Sequence, residues 1–183
     1  MSIKQDILVS AYTDFYKYGF NACGVEFLAK QAGVTKRTLY AHFGNKEELI
    51  KSVLEYRDQQ FIQKLEAFFL ENKDLPVIHS YLMFISNWIT EEDFHGCLFI
   101  NASAEFHNEL KSLEKQITDH KTKIRLILLE KMKQEGIENA EFLSNFLFLV
   151  GEGMIVSQQT GQSDISKIWN KISDYISLFE TKA

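Results

Sequence analysis

Between Gly33 and Lys46 the chain reads Gly-Val-Thr-Lys-Arg-Thr-Leu-Tyr-Ala-His-Phe-Gly-Asn-Lys, which sets Lys36, Arg37 and Lys46 at the starts of two helices. The N-terminal end of a helix carries partial positive charge, so an exposed cation there costs about 0.3–1 kcal/mol. An anionic partner such as a phosphate backbone reverses that sign. Thr35 caps the first of these helices, with Val34 and Leu39 as a hydrophobic staple, and Asn45 with Glu48 forms a capping box for the second. Helical spacing turns Leu39 and Phe43 inward and sends Arg37 and Ala41 to the opposite side, flanked by Thr38 and Tyr40. Upstream, Val25 to Ala32 reads as another helix burying Phe27, Leu28, Ala29 and Ala32, and Gly33 supplies its left-handed stop.

Two short helices joined this way make a helix-turn-helix, whose second helix lies in the major groove of duplex DNA. Arg37 suits a guanine edge in bidentate fashion, Ala41 a thymine methyl, and Thr38 a base or a phosphate. Tyr40, His42 and Lys46 are expected at phosphates, and Thr35 and Lys36 complete the DNA-facing set. The plain alternatives are solvated surface charges for the three cations and core packing for the Tyr40 ring.

From Leu28-Ala29 through Leu49 the chain resembles the TetR family of bacterial transcriptional regulators, whose pattern runs Ile-Ala-x-x-Ala-Gly-Val-Ser-x-x-Thr-x-Tyr-x-His-Phe-x-Asn-Lys-x-x-Leu. The likeness extends from the first helix to about Leu49, a quarter of the chain. Gly24 departs from it where a capping Ser or Thr is usual, and Arg37 where Gly is common. The resemblance implies a homodimer formed through the last two long helices, and a small molecule held between central helices that releases the protein from a near-palindromic double-stranded DNA operator. It therefore implies a ligand-responsive repressor and not an enzyme.

A chain of 183 residues with 45% hydrophobic content can bury a sizeable core. Its net charge is −5, with six Lys and Arg against five Asp and Glu through residue 50 and an acidic excess beyond. So little positive charge predicts weak non-specific binding to nucleic acid and strongly salt-dependent complexes. Cys23 and Cys97 have neither disulfide nor zinc spacing, and the histidines lack ligand pairing, so no metal and no cofactor is expected. No leader opens the chain, and the apolar stretch Phe142 to Val156 is too short for a bilayer, which predicts a cytoplasmic protein without a membrane partner.

The elements that carry the motif are helical throughout. Ile3 to Tyr18 is amphipathic along Ile7, Ala11, Phe15 and Tyr18, and Gly19 then Phe20 stop it with a Phe15 contact. After Asn45 one helix runs to about Glu71 through Leu49, Val53, Phe61, Leu65 and Phe68, leaving a first domain, 1–48, for a second, 49–183. Pro76 opens the next helix, Leu98 to Phe106 reads as a buried central helix, and Leu110 to Met132 as a long amphipathic one closed by Gly136. The whole reads as an all-α fold of about nine helices: an N-terminal three-helix domain and a C-terminal helical domain for effector binding and dimerisation.

In the second domain Phe84, Trp88, Phe99, Asn101, Glu105 and His107 are expected around an unknown small-molecule effector, each with core packing or a surface position as the alternative. Cys97, after Gly96 at a helix start and near His95, is a candidate thiol sensor, with an inert buried thiol as the alternative. Ala140 to Thr160 and the seam Ile165, Ile168, Trp169, Ile172, Tyr175, Ile176 and Phe179 predict a twofold four-helix interface. Phe146, Val150, Gly153, Ile168, Trp169, Ile172 and Tyr175 are its expected contacts, and completing the monomer core is the alternative. Convergent catalytic groups are absent: Glu105 and His107, two apart, point to different helix faces.

Overall fold

The computed structural model describes residues 2–106, 111–162 and 168–178. Within them the chain forms nine helices and no strand: α1 (Ile3–Tyr18), α2 (Val25–Gln31), α3 (Lys36–Phe43), α4 (Lys46–Glu71), α5 (Val77–Ile89), α6 (Leu98–Glu105), α7 (Lys111–Gln134), α8 (Ala140–Gln159) and α9 (Trp169–Ser177). His107, Leu110, Ile165 and Phe179, named in the sequence reading, lie outside the described residues.

Local sequence accounts for the helix ends. Ser2 caps α1 by accepting from the Gln5 amide at 3.3 Å, and the Gly19 N–H closes it on the Phe15 carbonyl at 3.0 Å. Thr35 accepts from the Thr38 amide at 3.1 Å, and Asn45 Oδ1 from the Glu48 amide at 2.9 Å, so both caps expected around α3 and α4 form. Gly24 makes no side-chain cap on α2. Gly33, with φ +66, takes the left-handed conformation that lets the chain leave α2, and the Val34 amide then reaches the Ala29 carbonyl at 2.9 Å.

The chain divides into two compact units, residues 1–60 with 98–118, and residues 61–97 with 119–183. That division differs from a boundary after residue 48, which falls three residues into α4. Sequence order hides it, because α6 and the beginning of α7 pack with the first three helices. The first unit buries Ile7, Ala11, Phe15, Phe20, Leu28, Leu39, Leu49 and Val53, and the Phe20 ring meets that of Phe106 at 5.5 Å. Burying an aliphatic or aromatic side chain of this kind is worth about 1.5–3 kcal/mol each.

The second unit buries Leu65, Ile78, Tyr81, Leu82, Ile85, Leu128, Met132, Leu143, Leu147 and Met154. Within it α5 packs against α8 and α9. Tyr81 lies against Gly151, where a Cβ would stand 2.6 Å from the phenolic oxygen, so only glycine lets α5 and α8 approach this closely. α6 is not buried all round as expected: Leu98, Phe99 and Ala102 face inward while Ser103 and Ala104 are exposed. α8 extends beyond the apolar stretch Phe142 to Val156 at both ends and passes the length and composition of a membrane span, as the core helix of a soluble protein also does.

Candidate nucleic-acid interface

α3 presents its residues as the 3.6-residue period requires. Leu39 and Phe43 are buried, and Thr35, Lys36, Arg37, Ala41 and His42 are exposed, with Thr38 and Tyr40 half-buried. Arg37 makes no hydrogen bond or ion pair among the described residues, so its five donors face outward uncommitted. Thr38 is partly committed: its hydroxyl lies 2.9 Å from that of Thr35.

The other two cations are already engaged. Lys36 Nζ donates to Glu26 Oε1 at 2.6 Å and lies 5.9 Å above the Tyr40 ring. The hydrogen bond between the two shifts the Lys36 ammonium upward and holds the Glu26 carboxyl below its ordinary range. Lys46, expected at a phosphate, turns inward instead: it is half-buried and donates to the Phe20 carbonyl at 2.7 Å, and burial pushes its ammonium pKa down. The first turn of α4 also carries Glu47 and Glu48, both bridged to Lys51 at 2.9 and 2.8 Å, so the dipole there already has its anions. α3, by contrast, starts with Lys36 and Arg37 and has no acidic residue in its first turn. Glu26 was legible as the partner of Lys36 only through the packing of α2 on α3.

The expected effector residues do not form one set. Phe84 and Trp88 belong to the second unit, where their rings pack edge-on to Phe61 at 5.4 and 5.2 Å, and His120 meets Phe61 at 5.4 Å. Phe99, Asn101 and Glu105 belong to the first unit. Glu105 is not free to line a pocket, because its carboxylate accepts from the Phe20 amide at 3.0 Å and the Asn21 amide at 2.7 Å. A cavity of about 130 Å³ in the first unit is lined by Ala102, Ser103, Phe106, Leu113, Glu114, Ile117 and Thr118, none of them an expected ligand residue. Cys97 is buried, with Lys121 Nζ 3.5 Å from its sulfur and 2.7 Å from Glu152 Oε1, which denies a reagent in solvent direct access to the thiol.

The last helices leave an apolar face uncovered. On α8, Phe142, Phe146, Leu149 and Val156 are between 41% and 65% exposed, and Gly153 lies on the same line with open space around it. Their spacing of four and three residues is the heptad repeat of a helix that seats against another helix. On α9, Ile168 at the cap, Tyr175 and Leu178 are exposed, Ile172 is half-buried, and Trp169 packs on His79 at 5.0 Å. Val150 is half-buried beside the α8 line. The sequence reading found Phe146 and Gly153 but missed Phe142, Leu149 and Val156, whose heptad spacing was available.

α2 and the capped α3, which anchors Leu39 and Phe43 and offers Arg37 outward, have the form of a helix-turn-helix in an all-α chain. Residues 7–53 match the family described as bacterial regulatory proteins, tetR family. That match covers the first three helices and the start of α4, about a quarter of the chain. It is 29% identical to the HTH-type transcriptional repressor ComR of Escherichia coli K12, over 81% of this chain and 76% of that protein. It is 26% identical to the nucleoid occlusion factor SlmA of Shewanella frigidimarina, over 70% of this chain and 68% of that one. The fold is that of a TetR-family transcriptional regulator from Streptomyces coelicolor, with a TM-score of 0.86 over 95% of this chain and 93% of that chain, at 21% identity.

Proposed function

We propose that this regulator is a cytoplasmic homodimeric repressor whose two α3 helices read the halves of a near-palindromic operator, and that a small molecule releases it. The observation that carries the reading is Arg37, exposed and uncommitted on a helix whose other face is anchored by Leu39 and Phe43. Arg37 with Ala41 reads base edges, and Thr35, Thr38, Tyr40 and His42 hold phosphates. Lys36 joins them only by leaving Glu26.

Dimerisation is supported by the uncovered line Phe142, Phe146, Leu149, Gly153 and Val156, extended by Ile168, Ile172 and Tyr175. A two-copy seam of this kind buries side chains that no element of the monomer covers. The effector reading narrows to the aromatic group around Phe84 and Trp88 in the second unit, which suits a flat apolar molecule. Any effector acts only through its preference for the non-binding conformation, commonly about 1–3 kcal/mol.

The test is selection of bound duplexes from randomised DNA, followed by sedimentation of the free protein. The wild type should enrich a sequence with twofold symmetry and sediment as a dimer. Arg37→Ala should lose about 1–3 kcal/mol of discrimination at one base pair in each half-site. Phe146→Glu with Leu149→Glu should give a monomer that no longer selects symmetric sites. Enrichment of no duplex, or a monomeric wild type that binds single half-sites, overturns the reading.

A further inference from the structure

Glu105 ends α6, yet its carboxylate is spent on the turn that joins α1 to α2. Oε1 accepts from the Phe20 amide at 3.0 Å and Oε2 from the Asn21 amide at 2.7 Å. The carbonyl of Phe20 accepts in turn from Lys46 Nζ at 2.7 Å. The backbone of one residue is thus held by an anion on its N–H and a cation on its C=O, the two coming from α6 and the first turn of α4. Gly19 makes room for the carboxylate: its φ is +83°, and a Cβ there would stand 3.0 Å from Glu105 Oε1. The Phe20 ring is fixed as well, against Phe15 at 5.0 Å and Phe106 at 5.5 Å.

We infer that Glu105 is a positioning residue for sequence reading: it touches no DNA, and it fixes the turn from which α2 and α3 extend. Charge-assisted hydrogen bonds are directional, and two on one carboxylate hold the orientation of a backbone as well as its place. Base-edge contacts need a reading helix set to within about 0.5 Å, whereas phosphate contacts carry no sequence information directly and are offered at every step of any duplex. Loss of the clamp therefore costs discrimination more than general affinity. Two neighbouring contacts serve as contrasts. Ser112 donates to Glu47 Oε1 at 2.7 Å and Gln116 Nε2 to the Lys51 carbonyl at 3.2 Å, and neither touches the α1–α2 turn.

The inference rests on the DNA-reading role of α3, and its test separates the two. The probes are the duplex most enriched by the wild type from a randomised pool and a scrambled duplex of equal length. Glu105→Ala and Glu105→Gln should each lower the ratio of the two affinities at least ~10-fold, or about 1.4 kcal/mol. Affinity for the scrambled duplex should stay within about threefold, as phosphate contacts are kept. Ser112→Ala should leave the ratio unchanged. Hydrogen exchange of the DNA-free wild type provides a measurement that needs no variant: the Phe20 and Asn21 amides should be protected like those inside α1. Unprotected amides there overturn the clamp. Folded Glu105 variants that keep the wild-type ratio, or that lose equal affinity for both duplexes, overturn the positioning role. A wild type that enriches no duplex removes the reading role of α3 and the positioning role with it, whatever the exchange shows.

Discussion

Gly151→Ala should destabilise the protein although helix propensity alone says the opposite. Gly151 sits inside α8, where replacing glycine by alanine is worth about 0.8–1.0 kcal/mol in favour of the helix. An added Cβ, however, would stand 2.6 Å from the Tyr81 phenolic oxygen, 2.8 Å from Cε1 and 3.0 Å from Cζ. Tyr81 cannot swing aside into solvent, because it is 1% exposed and its phenol is so deeply buried that its pKa lies far above the ordinary value. Overpacking in a closed core costs about 1–3 kcal/mol, which exceeds the propensity gain. A net loss of up to about 2 kcal/mol follows, a fall of up to roughly 8 °C in Tm for a chain of this size. Thermal unfolding of the single variant, of Tyr81→Phe and of the double variant supplies the measurement. Removing the hydroxyl should relieve the clash in part, giving a coupling of more than about 0.5 kcal/mol between the two positions. A rise in Tm for Gly151→Ala, or strict additivity with Tyr81→Phe, would refute the argument that close packing of α5 on α8 decides the outcome.

Glu26→Gln frees Lys36 from its ion pair, so affinity for random-sequence DNA should rise and the slope of log affinity against log salt should steepen by about one. Lys46→Ala removes a half-buried ammonium from the Phe20 carbonyl, so it should lower stability by about 1–2 kcal/mol while leaving that slope unchanged, which salt titration and denaturant unfolding would show together. Asp14 is buried with Oδ2 unpartnered, and burial raises its carboxyl pKa against a smaller opposing pull from Lys17. A raised folded-state pKa means the wild type is relatively most stable below the unfolded value of about 3.9 and loses that contribution as pH climbs through the folded value. Asp14→Asn, which cannot ionise, should therefore gain on the wild type between acidic and neutral pH, and a stability difference that stays flat across that interval would contradict the assignment.

How much of this was legible in the sequence follows from range along the chain. The caps at Thr35 and Asn45, the stops at Gly19 and Gly33 and the inward pair Leu39 and Phe43 depend on residues a turn apart, and all stand where periodicity and turn chemistry put them. The bonds of Lys46 and Glu105 to residue 20 were out of reach, because they span 26 and 85 positions that no local pattern reports. Lys36 was half-read: its place at the helix start was correct, but Glu26, ten residues earlier, becomes its partner only when α2 lies beside α3. The split of the effector candidates has the same origin, since Trp88 and Phe99 fall in different units when the chain crosses from one to the other at Cys97–Leu98. The uncovered heptad on α8 was within reach of pattern reading, which named Phe146, Val150 and Gly153 as contacts without extending the line to Phe142, Leu149 and Val156.

The commitment of Lys36 to Glu26 and of Lys46 to Phe20 bears on how the protein meets a chromosome. A cation that keeps its partner at home neutralises no phosphate and so releases no counterion from the duplex, which leaves few steps of ion exchange while both pairings hold. Its grip should vary with ionic strength less than a tally of lysines and arginines near α3 suggests. Residence at random sites is then brief, and what retains the regulator at its own site is fit to the bases, a property that shifts in cellular salt leave largely intact.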